Sequence, residues 1–267
     1  MRIASWNINS VRARIGHVER FVKEFAPDIL CLQETKVADD GFPTRAFADL
    51  GYSAHVVAGQ KSYNGVAIFS RVPIEVTGGR DWCGRYDARH ISVIIPGDIE
   101  LHNFYVPAGG DIPDRAENEK FGHKLDFLTE MSEWFATARR AGDRMIMLGD
   151  LNVAPHESDV WSHKALLKVV SHTPIEVEHL EAVQQAARWC DAARHFRPVP
   201  EKLYSWWSYR SPDWEGSDKG RRLDHIWVTE PLVGAMTGFD IPKEPRRWEK
   251  PSDHTPVILD LDPDRAA

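Results

Sequence analysis

Cysteine is scarce in this 267-residue chain. Cys31, Cys83 and Cys190 are the only three, odd in number, widely spaced and without a C-x-x-C pair. That excludes a disulfide framework and a cysteine-rich structural zinc site, and it fits thiols kept reduced in a cytoplasm. Long apolar runs are missing as well. No window approaches the roughly 18 apolar residues of a membrane span. The opening Met1-Arg2-Ile3-Ala4-Ser5-Trp6-Asn7 lacks the charged-then-apolar character of a signal peptide. A cytoplasmic protein with no membrane partner is therefore expected. Excess positive charge is also lacking. The chain has 33 Lys and Arg against 40 Asp and Glu, a formal net charge of −7. Nucleic-acid binders usually carry the opposite balance, so the figure counts against such a partner unless the charge is unevenly spread. No repeat, low-complexity block or linker interrupts the chain. Its Pro/Gly-rich stretches, 107–113, 210–220 and 242–251, are short and lie between apolar runs. One domain over residues 1–267 is expected.

What is present belongs to an ordinary folded protein: 42% hydrophobic and 27% charged residues, which excludes a disordered chain. Ten tryptophans are many. Their large area suits core packing, with a minority available as stacking platforms. Arg2 to Ile8 alternates apolar and polar residues and reads as a strand. Ser10 then stands in the place of an N-cap, and Val11, Ile15, Val18, Phe21, Val22 and Phe25 recur at helical spacing until Pro27 ends the helix. Further strands are predicted at Asp28–Gln33, Ser53–Val57, Val66–Ser70, Ile91–Ile95, Leu101–Val106, Met145–Leu148, Leu223–Val228 and Val257–Leu261. Helices are predicted at about Arg115–Ala141 and Ile175–Trp189, with Thr173 as N-cap and Pro174 at the first helical position of the second. Many strands with helices between only some of them indicate an α/β sandwich rather than a βαβ repeat.

The polar residues that interrupt these runs fall at strand ends. Asn7 ends the first strand and Glu34 follows Ile29–Leu32. Tyr105 ends Leu101–Phe104, and Gly149-Asp150-Leu151-Asn152 follows Met145–Leu148. Asp224 enters another strand, and Asp253-His254 precedes the last. Each has a plain explanation by itself: a turn residue at Asn7, an Asx-turn at Asp150 and Asn152, a packed strand residue at Tyr105. Together they make four carboxylates, two amides, a phenol and an imidazole, in positions that would form one site if the strand ends converge. Clustered carboxylates repel unless a cation neutralises them. Hard oxygen donors without thiolates select Mg²⁺ or Mn²⁺ over zinc, and Mg²⁺ is the usual partner of a substrate phosphate. The set points to metal-assisted phosphoester hydrolysis.

Longer segments then align in order: Ser5-Trp6-Asn7-Ile8-Asn9, Leu32-Gln33-Glu34-Thr35-Lys36, Asn64-Gly65-Val66-Ala67, Tyr105-Val106-Pro107, Gly149-Asp150-Leu151-Asn152, Ser205-Trp206-Trp207-Ser208-Tyr209-Arg210, Arg222-Leu223-Asp224 and Lys250-Pro251-Ser252-Asp253-His254. In these blocks the sequence resembles the exonuclease III family of AP endonucleases, from residue 1 to about 260. The resemblance implies a four-layer α/β sandwich of two packed mixed β-sheets flanked by helices. It implies Mg²⁺-dependent cleavage of DNA phosphodiesters, with Mn²⁺ able to substitute, on double-stranded DNA carrying abasic sites or 3′ ends, by a monomer. It implies Glu34 as the direct metal ligand, with Asn7 orienting it or holding a metal water. Asp150, helped by Asn152, would position and deprotonate the attacking water. His254, oriented by Asp224, would contact the phosphate, with Tyr105 beside it. The metal set would then draw on Asn7, Glu34, Asp150, Asn152, Asp253 and His254.

The same resemblance makes Trp206, Arg221 and Leu223 the lining of a sugar pocket. Some relatives carry an aromatic where this chain has Arg221, and Ala108-Gly109-Gly110 stands where some carry an amide side chain. Arg12, Arg14, Lys36, Arg210, Arg221, Arg222, Arg246, Arg247 and Lys250 lie beside the motifs as candidate phosphate contacts. Of Trp206 and Trp207, strand neighbours that face opposite ways, one is expected in the core. Two other readings remain: an inositol-phosphate or sphingomyelin phosphodiesterase sharing Glu34, Asp150 and His254, and a non-catalytic DNA-binding relative. Residues 1–100 are balanced at 12 basic and 12 acidic, and the acid excess lies in 101–200 (11 against 15) and 201–267 (10 against 13). One basic edge on an acidic body is the expectation.

Overall fold

A computed structural model describes residues 1–140 and 142–266. The first half of the chain runs β1 (Arg2–Asn7), α1 (Ile15–Phe25), β2 (Ile29–Gln33), α2 (Thr44–Asp49), β3 (Ala54–Gln60), β4 (Tyr63–Ser70), β5 (Glu75–Gly78), β6 (His90–Ile95), β7 (Ile99–Tyr105), α3 (Glu119–Ala138) and β8 (Met145–Asp150). The second half runs α4 (His163–Leu166), α5 (Pro174–Ala186), β9 (Cys190–Asp191), α6 (Ala192–Phe196), β10 (Trp206–Trp207), α7 (Trp214–Ser217), β11 (Gly220–Arg221), β12 (Asp224–Val228), α8 (Glu230–Val233), β13 (Met236–Asp240) and β14 (Val257–Leu261).

Two six-stranded mixed sheets result. One has the order β13-β14-β1-β2-β4-β3 and the other β5-β6-β7-β8-β12-β9. Only β1–β2 and β7–β8 pair in parallel, and every other pairing in these two sheets is antiparallel. The inner faces meet in one apolar layer, with Ile3, Ile29, Ile68 and Leu259 of the first sheet against Val93, Leu101, Ile146, Leu148 and Ile226 of the second. The outer face of the first sheet (Ala4, Trp6, Leu30, Leu32) packs on Val18, Phe21 and Val22 of α1. The outer face of the second (Phe104, Met145, Met147, Trp227) packs on Phe127, Leu128, Met131 and Phe135 of α3 and on Leu180 and Val183 of α5. Strands buried on both faces read as continuous apolar runs, which is why ILCLQ and MIML carry no alternation. The helix–sheet–sheet–helix order is the α/β sandwich expected from the strand pattern, in the four-layer form that the resemblance implies.

Three boundaries differ. Ser10 is not a helix cap: Asn9 and Ser10 both have positive φ, the Ser10 N–H donates to Glu34 O at 2.7 Å, and the helix starts at Ile15. The tight path over residues 9–14 is what delivers the Glu34 loop. The helix predicted at 115–141 starts later because Asn118 caps it, its side chain accepting from the Lys120 N–H at 3.1 Å; it ends at Ala138, and Ala141 lies outside the described residues. The expected Thr173 cap is present, in a reciprocal capping box with Glu176 and with Pro174 at the first turn, and α5 ends at Ala186 rather than Trp189. Edge strands β5 and β13 were not anticipated. β5 is short and largely exposed and so carries little apolar signal.

Candidate active site

Register builds the site. Tyr105 pairs with Asp150 across β7–β8, and Asp150 pairs with Asp224 across β8–β12, so three polar groups lie in one row at one end of the second sheet. Gly149 makes the row possible. Its φ is +137° and a Cβ there would stand 1.9 Å from Phe104 O, so only glycine lets β8 lie this close to β7 at that point. Asn7 and Gln33 pair at the matching end of the first sheet, and Glu34 follows directly.

Asp150 is fully buried. Its Oδ2 accepts from Asn7 Nδ2 at 2.9 Å and its Oδ1 from the Asn152 N–H at 3.0 Å. The second bond is the Asx-turn that the sequence allowed, so the turn and the site coincide. Two carboxylates directly opposite on neighbouring strands repel, and His254 intervenes. Its Nδ1 donates to Asp224 Oδ2 at 2.8 Å, and its Nε2 lies 3.7 Å from Asp150 Oδ2. Ser205 Oγ donates to the same Asp224 oxygen at 2.6 Å, while buried Asp224 Oδ1 has no hydrogen-bond partner among the described residues. Asp150, Asp224 and His254 can each offer a ligand atom within 4.8 Å of the others.

The protonation states follow. Burial raises the Asp150 pKa and the Asp224 and Glu34 carboxylates add to that, against the lowering pull of His254. Burial alone would lower the His254 pKa, but Asp224 and Asp150 outweigh it and raise it, favouring the imidazolium. For Glu34, burial works upward, yet the Lys36 ammonium at 2.8 Å and the Tyr105 hydroxyl bring it below the ordinary carboxylate range.

The other candidates separate. Glu34, Asp150, Asn152, Asp253, His254, Trp206, Arg210, Arg221 and Leu223 line one cleft of about 780 Å³, and an adjoining groove of about 520 Å³ shares Glu34 and takes in Lys36 and Tyr105. Asn7 serves Asp150 rather than Glu34, and its Oδ1 accepts from the Asn9 N–H at 3.1 Å. That corrects its expected role toward Glu34. Asn152 is fixed by its side-chain N–H donating to Val106 O at 2.9 Å. Asp253 is committed elsewhere: Asn9 Nδ2 donates to one oxygen at 3.0 Å and Trp206 Nε1 to the other at 2.9 Å. Trp207 is the core member of the tryptophan pair at 1% exposure, and Trp206 faces the cleft. Arg12 and Arg14 do not line the cleft. The first donates to Gly41 O and the second to Tyr209 Oη. Arg222 is fully buried between Asp159 and Asp191 and cannot meet a phosphate. Arg246, 5% exposed, donates to Trp207 O, and Arg247 pairs with Glu215. Sequence reasoning missed Asn9 and Ser205, which hold Asp253 and Asp224. Both stand inside the matching blocks, but a small amide or hydroxyl announces no role of its own.

Residues 4–254 match the Endonuclease/Exonuclease/phosphatase family. The chain is 30% identical to an exodeoxyribonuclease III from Haemophilus influenzae, over 96% of this chain and 98% of that one. The chain belongs to the exonuclease III group of that family. Among solved structures it is similar to an AP endonuclease from Archaeoglobus fulgidus, with a TM-score of 0.91 and 33% identity over 98% of this chain and 99% of that one. It is also similar to the 3′ phosphatase NExo from Neisseria bound to a product DNA hairpin, with a TM-score of 0.88 and 29% identity over 98% and 99%.

Proposed function

We propose that this DNA-repair nuclease hydrolyses phosphodiesters at abasic sites and 3′ ends of duplex DNA with Mg²⁺ or Mn²⁺, as a cytoplasmic monomer whose whole chain is one domain. The Asp150–Asp224–His254 cluster at the floor of the cleft carries this reading. The metal fits the donors present. Apart from the imidazole, the groups around the cleft floor are hard oxygens: Asp224 Oδ1 is buried with no hydrogen bond among the described residues, and Asp150, Asp224 and Glu34 together carry more negative charge than the single His254 imidazolium offsets. Glu34 would hold the ion beside Asp150, and the chemistry it would supply there is Lewis-acid neutralisation of a phosphoryl oxygen. His254, already bonded to Asp224 and held as imidazolium, serves the phosphate rather than the metal. It stabilises the extra negative charge that the transition state spreads over the phosphoryl oxygens. Asp150, fixed at both oxygens and raised toward neutral pH, accepts the proton of the attacking water. Asn7 and Asn152 keep it aimed. Tyr105, whose hydroxyl donates to Glu34, orients that carboxylate.

The cleft wall supports a ranking among these substrates. The Arg221 guanidinium lies over the Trp206 ring, 5.1 Å from its centroid, so a cation occupies the side where a neutral sugar would need an apolar surface. We rank 3′-phosphate and 3′-nucleotide removal above abasic-site cleavage on that ground. The test is incubation with Mg²⁺ and three labelled duplexes (abasic, 3′-recessed and 3′-phosphate), with EDTA and a phospholipid substrate as controls. Metal-dependent turnover of at least one duplex is expected. Activity on the phospholipid alone, or none on any duplex, overturns the reading.

A further inference from the structure

Lys124, on α3, is fully buried, which lysine avoids unless paired. Its three N–H donors meet three acceptors: a Glu176 carboxylate oxygen, Asn152 O at 2.8 Å and Ala108 O at 3.4 Å. Both carbonyls belong to segments that border the cleft. Asn152 is the residue whose N–H holds Asp150, and Ala108 opens the wall beyond Tyr105. The stem of the side chain is enclosed too. Gly109 has φ +90°, and a Cβ there would meet Lys124 Cδ at 3.0 Å and Val170 Cγ1 at 3.1 Å, so this loop sits against the lysine without room for a side chain.

Glu176 continues the connection. It accepts from the Ser171 N–H at 2.8 Å, the Thr173 N–H at 3.1 Å and Thr173 Oγ1 at 2.7 Å. Ser171 Oγ accepts from Arg221 Nη1 at 2.7 Å, Arg221 lies over Trp206, and Trp206 Nε1 donates to Asp253. Polar contacts thus run without a break from the segment behind Asp150, through a buried ion pair, to the opposite wall of the cleft. An apolar pair of similar volume would pack this junction at no desolvation cost, because buried ion pairs are commonly neutral or unfavourable beside hydrophobic replacements. Packing alone does not explain an ammonium there. Its bond to the Asn152 carbonyl does.

We propose that Lys124, paired with Glu176, is a positioning residue that fixes the Asp150-Leu151-Asn152 segment against the Arg221–Trp206 wall. This rests on the function proposed above for that segment. The deciding variant is Lys124→Met/Glu176→Gln in the full chain, which removes the cation and the carboxylate together and leaves no buried charge unpaired. Two readouts are taken on the folded protein: kcat and KM on a 3′-phosphate duplex, and amide exchange at Asn152 without substrate. A misplacement of the catalytic segment costs roughly 10²-fold, so kcat should fall by about that factor with KM nearly unchanged. Exchange at Asn152 should accelerate while the amides of Ile146–Leu148 exchange as in the unaltered protein. Native kcat with native Asn152 exchange overturns the proposal. So does acceleration spread equally over β8, which marks a merely structural pair. Absence of turnover by the unaltered protein would defeat the proposed function, while the exchange readout would still decide the role of Lys124.

Discussion

Replacing Asp150 by Asn should make the protein more stable and nearly inactive, and both halves follow from its surroundings. Burial is the largest influence on this carboxyl, with Asp224 and Glu34 adding to it, and together they overcome His254 and raise its pKa from 3.8 to about 7. A carboxyl whose pKa is raised on folding costs stability as pH climbs from its unfolded value, with the full cost present above its folded value. At 1.36 kcal/mol per unit over about three units, the cost at about pH 8 is on the order of 4 kcal/mol without a cation. Asparagine removes that cost and brings a smaller one. Asn7 Nδ2 and the Asn152 N–H donate to different oxygens of Asp150, so whichever way the new amide turns, one donor faces an NH₂ group. That takes back about 1 kcal/mol. In EDTA the Asp150→Asn protein should therefore melt several degrees higher than the unaltered one. Its kcat should fall by roughly 10²–10⁴, the usual contribution of a positioned general base. Mg²⁺ should raise the melting temperature of the unaltered protein and have little effect on the variant, because a ligand stabilises only the state that binds it. Scanning calorimetry in EDTA and in Mg²⁺, with kinetics on the same preparations, checks all three. A variant that melts lower in EDTA refutes the electrostatic account, and one that cleaves DNA at a near-normal rate refutes the catalytic assignment.

His254→Asn should leave the fold intact by circular dichroism and lower kcat by roughly 10²–10³; a folded variant with native kcat would remove His254 from the mechanism. Acid should destabilise the protein through its buried neutral histidines. Burial first, and then Arg222, depress His225 to about 4, so the unfolded chain takes up its proton near pH 6.5 and the folded chain only near pH 4. Stability is fully present above the unfolded value and is lost as pH falls through that window, by about 3 kcal/mol for this residue. His90 and His102, lowered in the same direction mainly by burial, add to the loss. Asp150 opposes this loss over the same range, so the loss is read in the Asp150→Asn protein, and a melting temperature of that variant that stays level from about pH 7 to pH 4.5 would contradict it.

Strands such as ILCLQ and MIML were legible because burial on both faces leaves an uninterrupted apolar run, and the site residues were legible because they break such runs at the ends. The convergence of those ends was not readable from local pattern. It depends on the Tyr105–Asp150–Asp224 register, set by pairings between residues up to 74 positions apart. The partner of Asn7 is set in the same way: the resemblance implied that it orients Glu34 or holds a metal water, and the two sheets bring its amide to Asp150. Charged residues were read as surface, and that hid two buried arrangements: Lys124 with Glu176, and Arg222 with Asp159 and Asp191. Lys124 did leave a signal. It falls three residues after Phe121 and four before Leu128, on the buried stripe of its helix.

The net charge of −7 now has a structural meaning. Part of the acid is neutralised internally, as at Asp159 between Arg222 and Arg194. What matters to DNA is the cleft, where Glu34, Asp111, Asp150 and Asp253 line the same space as Arg210, Lys219 and Arg221. A phosphate entering without a cation meets the carboxylates of the floor; with one bound, it meets a neutralised floor and a basic wall. Metal and DNA affinities must then be coupled, and the coupling is reciprocal. Two charges roughly 6 Å apart at an effective dielectric of about 20–40 interact by about 1–3 kcal/mol, which is tenfold or more in affinity. Ca²⁺, which fills hard-oxygen sites, should therefore tighten duplex binding by the unaltered protein by at least about tenfold relative to EDTA. Asp150→Asn, with one floor charge gone, should bind more tightly than the unaltered protein in EDTA and gain less from Ca²⁺. Both affinities should weaken steeply with salt, because the remaining attraction comes from phosphate contacts. Fluorescence anisotropy with a 3′-recessed duplex measures all of these. Equal affinities of the two proteins in EDTA would show that the floor carboxylates do not face the phosphate, and the placement of the metal between them would fall with it.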